Sequence, residues 1–326
     1  MNVKENTYKL FATLQDGTIM DLTNAVEKLE WSDPNGELAQ RASIKLAQVN
    51  TSVGLISSVL SLCVRLQIVA NGEEVFEGLI WDWEYTSGST KEFSVTGYDN
   101  MIYMQKSKDN NYFSNNQKTQ TIVSSICKKH GITLKYNWGN YKHKKTVYRG
   151  QTIANQIIGT LEDAKYKIDK RYVVKYSKGA LIIEYPGQNN DVYVFEGEVI
   201  ATSHKQSMDK LITKVLITGK ESKSGKIPIK ATVNGKTEYG VIQEMVSSTS
   251  TSVSEAKAEA KVILKERGKP EETIRMDAPD IPTLRKGDKI KVKAGSLNGY
   301  YFVIGVTHNA NDRIMNLELE VAGDGL

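Results

Sequence analysis

Val64-Arg65-Leu66-Gln67-Ile68-Val69-Ala70-Asn71-Gly72-Glu73-Glu74-Val75-Phe76 is the stretch that decides the fold. Val64, Leu66, Ile68 and Ala70 alternate with Arg65 and Gln67, the period-two pattern of a strand with one buried face. Asn71-Gly72 follows, two residues that reach positive φ readily, as a type I′ hairpin turn requires. Residues 73–76 return, 80–86 follow, Ser87-Gly88-Ser89 turns the chain, and 91–96 complete an antiparallel meander. Toward the N-terminus, residues 8–14 run into Asp16-Gly17 and then 18–22, a second hairpin. Residues 27–31 stop at Ser32-Asp33-Pro34-Asn35-Gly36, a cluster of turn formers, after which Ala42, Ile44 and Leu46 alternate with polar partners. Many short strands with regular turns predict a β sandwich or barrel over residues 1–104.

The period changes after Met104. Ile122, Val123, Ile126 and Cys127 fall at helical spacing within 117–130, with Thr119 or Thr121 as caps and Gly131 at the exit. Ile153, Ala154, Ile157, Ile158 and Leu161 repeat the pattern over 152–164. A hairpin follows, residues 171–176 and 180–185 around Ser177-Lys178-Gly179, so 105–198 is expected to be a smaller α+β domain. From 199 to 326 the chain returns to β, with a strand at 212–218, a hairpin around Asn234-Gly235, and strands at 289–293 and 301–307. A last hairpin turns through 309–312 into residues 315–321. One helix near 253–267 interrupts this region: Ser252 with Glu255 forms a capping box, Ala256, Ala260, Ile263 and Leu264 its buried stripe, and Gly268 with Pro270 its end. The Ser/Thr run at 247–254 reads as a short connection.

The opening and closing regions share a pattern. A strand at 64–68, a longer one at 76–85 and a third at 92–99 correspond in order to 289–293, 301–307 and 316–324. Both end on Val, Gly and Asp in that order: Val95, Gly97, Asp99 and Val321, Gly323, Asp324. An internal duplication follows, two look-alike β modules flanking the insert.

Composition narrows the function. At 326 residues the chain is long for one core and predicts two to three domains; 40% apolar and 25% charged residues describe a globular chain. Two cysteines, Cys63 and Cys127, exclude a disulfide framework and a four-thiolate zinc site. His130, His143, His204 and His308 show no metal-ligand spacing; His130 closes a helix and His308 is placed at a solvated hairpin turn. Residues 46–64 carry no formal charge, but Gln48, Asn50, Thr51, Ser52 and three further serines make them a buried connection rather than a membrane span. Lys4, Glu5 and Lys9 leave the first fourteen residues without the apolar core of a secretory signal. Asp82 and Glu84 share one face of a strand opposite Trp81, Trp83 and Tyr85, an arrangement a glycosidase uses when a second carboxylate faces it; a strand with an aromatic inner and an acidic outer face needs no such partner. No nucleophile elbow and no phosphate loop occur. No enzyme and no cofactor are expected.

Charge is uneven. Residues 105–150 hold ten Lys and Arg against Asp109 alone, a local +9 in a chain of net +5. Lys128, Lys129, Lys142, Lys144, Lys145 and Arg149 form a basic surface, with Tyr112, Phe113, Tyr136, Trp138, Tyr141 and Tyr148 interleaved. Such a surface suits either an acidic neighbouring subunit or, less readily without an accompanying motif, nucleic-acid phosphates and bases.

Several stretches together resemble a known family. They are Val75-Phe76-Glu77-Gly78-Leu79-Ile80, Phe93-Ser94-Val95-Thr96-Gly97-Tyr98-Asp99, Tyr103-Met104-Gln105-Lys106-Ser107, Tyr239-Gly240-Val241-Ile242-Gln243 and Leu284-Arg285-Lys286-Gly287-Asp288. In this order, with the helices at 119–127 and 255–264, they resemble the baseplate hub of contractile phage tails and phage-tail-like bacteriocins, of the late-control, prophage-type family. The resemblance implies a mainly β fold with an α+β insert: two tube-protein-like antiparallel β-barrels flanking a smaller domain. It implies a homotrimeric ring joining a sixfold tail tube to a threefold central spike, since three chains with two modules each offer six similar patches. Implied partners are further copies of the chain, the spike, the tail tube protein and neighbouring wedge or tape-measure components, in a particle assembled in the bacterial host cytoplasm. Trp81, Trp83 and Tyr85 are the expected subunit interface, and no catalytic residue is implied. The competing readings are a particle-associated cell-wall hydrolase and a nucleic-acid-binding module.

Overall fold

A computed structural model describes residues 6–87, 92–197, 199–247 and 252–322. Lys4, Glu5, Gly88-Ser89, Lys91, most of the Ser/Thr connection and the closing Gly323-Asp324 lie outside the described residues. The chain divides into two compact units: Met1–Leu161 with Arg171–Ser203 and Ile274–Leu326, and Glu162–Lys170 with His204–Thr273.

The first module is built from β1 (Tyr8–Thr13), β2 (Ile19–Asp21), β3 (Val26–Asp33) and β4 (Arg41–Leu46), then a small hairpin of β5 (Asn50–Thr51) and β6 (Gly54–Leu55). The helical turn α1 (Ile56–Val59) leads to β7 (Arg65–Ala70), β8 (Glu73–Thr86), β9 (Glu92–Tyr98) and α2 (Ile102–Lys106). The uncharged 46–64 stretch is a connection, as expected, but not a buried one: Ile56 and Leu60 anchor it in the core, while Val49, Val53, Leu55 and Leu62 are exposed because the small hairpin and its turn lie on the surface. Among the described residues no helix is long and apolar enough to cross a membrane. Asn71 at φ 53° and Gly72 at φ 87° make the expected left-handed turn. Strict alternation then places Leu10, Ala12, Ile44, Leu66, Ile68 and Phe76 in one core with Trp31, Phe93 and Val95.

The insert contains β10 (Lys108–Phe113), β11 (Gln117–Lys118), α3 (Thr119–Lys129), β12 (Thr133–Asn137), β13 (Lys142–His143), β14 (Thr146–Thr152) and α4 (Ile153–Ile168), then β15 (Val173–Ser177) and β16 (Ala180–Glu184). α3 buries Ile122, Val123, Ile126 and Cys127 as its spacing requires. Neither threonine caps it: the Thr119 hydroxyl accepts the Tyr141 amide at 3.0 Å and lies 2.9 Å from His143 Nε2, tying the helix to β13 instead.

The last module adds β17 (Tyr193–Glu196) and β18 (Ala201–Ser207). The second unit supplies β19 (Lys214–Thr218), β20 (Ile229–Asn234), β21 (Gln243–Ser247) and α5 (Val253–Arg267), after which come β22 (Glu271–Pro279), β23 (Lys289–Ala294), β24 (Leu297–Asn309) and β25 (Ile314–Val321). In the second unit the Ser252 hydroxyl caps α5 by accepting the Glu255 amide at 3.1 Å, and Ala256 and Ala260 pack on Val215, Ile217 and Ala231. The hairpin expected around Asn234-Gly235 is absent. Gly235 lacks the positive φ such a turn needs and lies against Leu264 of α5, so the chain continues to β21, which runs parallel to β19.

The fold class is the one expected, mainly β with an α+β insert. Closure is not. Neither module closes into a barrel among the described residues; one thirteen-stranded sheet runs β18-β22-β25-β24-β3-β4-β9-β8-β7-β1-β2, with β23 on β24 and β17 on β23. The reason is that β24 pairs with β3, His308 opposite Trp31 and Val306 opposite Asp33, so the two modules share a sheet.

The two meanders match in detail. β8 is 14 residues long and β24 is 13. β8 shifts register against β9 between Ile80 and Asp82, and β24 shifts against β25 between Val303 and Gly305. β9 is flanked by β4 and β25 by β22, both antiparallel. They part company at the outer strand, where β1 runs antiparallel to β7 but β17 runs parallel to β23.

Gly287 shows how tightly insert and last module meet. Its φ is +96°, and an added Cβ would lie 2.8 Å from a Val173 methyl of β15. Gly72 has φ +87° with open space around it. Replacing Gly72 by Ala is expected to cost about 1 kcal/mol, and Gly287→Ala about 2–4 kcal/mol because overpacking adds to backbone strain. Denaturant midpoints of the two variants check the order.

Candidate functional site: the module junction and two outward faces

Two charged clusters hold β3 to β24. Asp33, at the end of β3, is buried. Its Oδ2 accepts from Arg285 Nη2 at 2.8 Å and Nε at 3.1 Å, while Lys286 Nζ stands 3.3 Å from Oδ1. Burial by itself would raise this carboxyl, but Lys286 and Arg285 outweigh it and hold Asp33 below the ordinary carboxylate range. Lys286 also donates to the carbonyls of Pro34 and Glu37 at 3.1 and 2.7 Å, and Arg285 Nη1 to Tyr176 O of the insert at 3.1 Å. One short segment thereby grips the first module and the insert together.

The second cluster lies at the other end of the pairing. His308 is buried, contrary to the solvated turn expected, because β24 carries it inward across from Trp31. Its ring stacks on Trp31 with centroids 4.7 Å apart and planes 10° from parallel. Nδ1 lies 2.6 Å from Asp280 Oδ1 and Nε2 3.1 Å from Leu284 O, so each ring nitrogen faces an oxygen acceptor. Tyr8 donates to the other Asp280 oxygen at 2.7 Å, and burial with that carboxylate pushes its phenol up. The Asn311 amide in the β24–β25 turn clasps Leu29 N and Glu27 O, both at 2.9 Å.

The expected interface aromatics separate. The register shift in β8 leaves Trp81 edge-on to Tyr103, 5.4 Å between centroids, whereas Trp83 packs on Phe93 at 5.5 Å. The extra residue of the bulge breaks the simple alternation that put all three on one side. Trp83 and Tyr85 stay 40% and 36% exposed, on a stretch of β8 whose pairing with β7 has ended at Leu79. Asp82 and Glu84 are exposed beside them.

The basic surface is real as a set of exposed side chains: Lys128, Lys129, Lys142, Lys144, Lys145 and Arg149 all face solvent. Lys129 bonds Asp109 at 2.6 Å and holds that carboxyl well below its usual range. His130 lies 3.1 Å from the same oxygen. Among the described residues no group of three His, Cys, Asp or Glu is placed to hold a metal.

With the fold and these faces in view, the chain can be set beside known proteins. The YQBQ-like family model matches residues 39–322, and the chain belongs to that family. It is 26% identical over 226 residues to the uncharacterised protein YqbQ of Bacillus subtilis, covering 66% of this chain and 67% of YqbQ. Its fold is similar to that of the 43 kDa tail protein of prophage MuSo2 from Shewanella oneidensis, with TM-score 0.72, 14% identity and 97% and 98% of the two chains covered. It is also similar to the E. coli protein c3393, described as a type VI secretion component with structural similarity to the bacteriophage T4 tail proteins gp27 and gp5; there the TM-score is 0.53 at 13% identity, covering 92% of this chain and 74% of that one. The tail-protein fold expected from the sequence is the fold of this chain.

Two buried carboxyls, one in the junction and one beside it, make stability depend on pH in opposite senses. Asp99 accepts from the Gln40 and Met101 amides at 3.0 and 2.8 Å, yet burial pushes its carboxyl up to about 7. Between the ordinary value of 3.8 and about 7 the native state therefore holds a proton the unfolded chain has lost, so Asp99 withdraws stability as pH rises through that window. Asp33 acts oppositely, its contribution vanishing as pH falls below the ordinary carboxylate range. Urea titrations over pH 4 to 8 should show Asp99→Asn with a flatter decline than the parent. Asp33→Ala, which strands the buried Lys286 and the part-buried Arg285, is expected to cost about 3–5 kcal/mol.

Proposed function

We propose that this chain is a non-enzymatic structural protein of a phage-type tail baseplate, the hub at which a tail tube meets a central spike. Three copies form a ring, each contributing its opening and closing modules, so that six similar modules face the tube while threefold symmetry faces the spike. The functional division runs 1–104, 105–198 and 199–326. The location is a virion or tail-like particle assembled in the host cytoplasm, with wedge or tape-measure components as further neighbours.

One observation carries the reading. Counting from the bulge, Trp83 and Tyr85 of β8 hold the positions that Val306 and His308 hold in β24. In β24 the strand edge at those positions is filled by β3. In β8 the matching edge has no strand on it among the described residues, and its aromatics are part-exposed. A chain that satisfies one of two equivalent edges and leaves the other has a use for a second copy, because an unpaired edge is a template for another strand. The description of c3393, a secretion component likened to tail proteins, agrees with the same role. The acidic pair Asp82 and Glu84 sits exposed on the sheet, which gives the hydrolase reading nothing further to stand on.

Purified chain mixed with its spike protein should give a particle containing three copies by native mass measurement. Trp83→Glu combined with Tyr85→Glu should reduce assembly by at least tenfold, on the order of what losing an interface aromatic anchor costs, while the chain keeps a cooperative melt. Single copies at every concentration, or a particle indifferent to both changes, would overturn the ring.

A further inference from the structure

Two segments of this chain carry opposite net charge. Residues 1–104 hold seven Lys and Arg against fourteen Asp and Glu, a net −7, while 105–150 sum to +9. On β8, Glu77 pairs with Arg65 at 3.2 Å and Glu74 with the Gln67 amide. Asp82 and Glu84, beyond the bulge, are exposed and have no cation within 4 Å among the described residues.

The insert shows the converse. Lys118 stands directly across from Lys142 in the β11–β13 pair, and both are exposed. Like charges in opposed positions destabilise a strand pair, so this two-residue ladder is one that an external anion relieves. Lys145 lies three residues on, exposed and likewise without a carboxylate within 4 Å among the described residues.

We infer that the basic surface around Lys118, Lys142 and Lys145 seats on the outer face of β8, at Asp82 and Glu84, of a second copy of the chain. This rests on the self-assembly reading above and adds which faces meet. The acidic pair flanks the open β8 edge, so the contact is continuous with the edge a second copy would fill. Complementary charged faces steer encounter and fix register more than they add affinity, and they reject a copy that approaches with like charges opposed. A nucleic acid would use the basic face but leave the acidic one without a role.

The test is a charge exchange on the full chain with its spike protein, read by sedimentation at low and high salt. Lys118→Glu with Lys142→Glu, and separately Asp82→Lys with Glu84→Lys, should each weaken self-association about tenfold or more at low salt. Carrying all four changes in one chain should restore it to within about threefold of the parent, and the parent's own association should weaken as salt rises. If the ring forms equally in every variant, the pairing of faces is wrong and the ring stands. If the parent never associates, the ring itself falls. If the lysine changes abolish binding of a labelled single-stranded oligonucleotide and leave self-association untouched, the surface belongs to nucleic acid and the inference is overturned.

Discussion

The pairing of β3 with β24 is the contact on which the rest of the molecule depends. Without it, the opening and closing modules are two separate sheets, each with an exposed edge. With it they become one sheet, secured at one end by Asp33 between Arg285 and Lys286 and at the other by His308 between Asp280 and Trp31. Buried charges of this kind add little net stability over well-packed apolar residues, but they punish misregister severely, because a shift of one residue strands an ion in the core. The clusters therefore act as a register lock for the sheet. Arg285 extends the lock to the insert through Tyr176.

Most of the architecture was legible because it rests on local signals. The Asn71-Gly72 turn, the helix at 253–267 with its Ser252 cap, and the paired meanders each follow from residues close in sequence. The junction was not legible. Asp33 sits in what reads as a plain turn, Ser32-Asp33-Pro34, and its partners lie some 250 residues away, at 252 for Arg285. Leu284-Arg285-Lys286-Gly287-Asp288 stands out only as one of the stretches that carry the family resemblance; nothing in its composition says that it closes onto Asp33.

The errors share a cause. His308 read as a turn residue because the following Asn309-Ala310-Asn311-Asp312 is rich in turn formers, yet β24 continues to Asn309 and delivers the ring to the core. Asn234-Gly235 read as a hairpin for the same reason, while helix packing against Gly235 decides the outcome. Trp81, Trp83 and Tyr85 read as one face under simple alternation, which the bulge in this strand interrupts. In each case a long-range contact or a one-residue insertion overrode the local rule, and neither leaves a mark in composition or period.

The distance spanned by the junction also bears on how the chain is made. Asn311 clasps a carbonyl 284 residues upstream. At ribosomal speeds of roughly 5–20 residues per second, the strand that covers Trp31 emerges about 15–60 s after β3 does. Throughout that interval a nascent first module shows solvent the unpaired edge of β3, a template for strands of other half-made chains. The order in which the two strands leave the ribosome thus shapes this molecule as much as its finished architecture does.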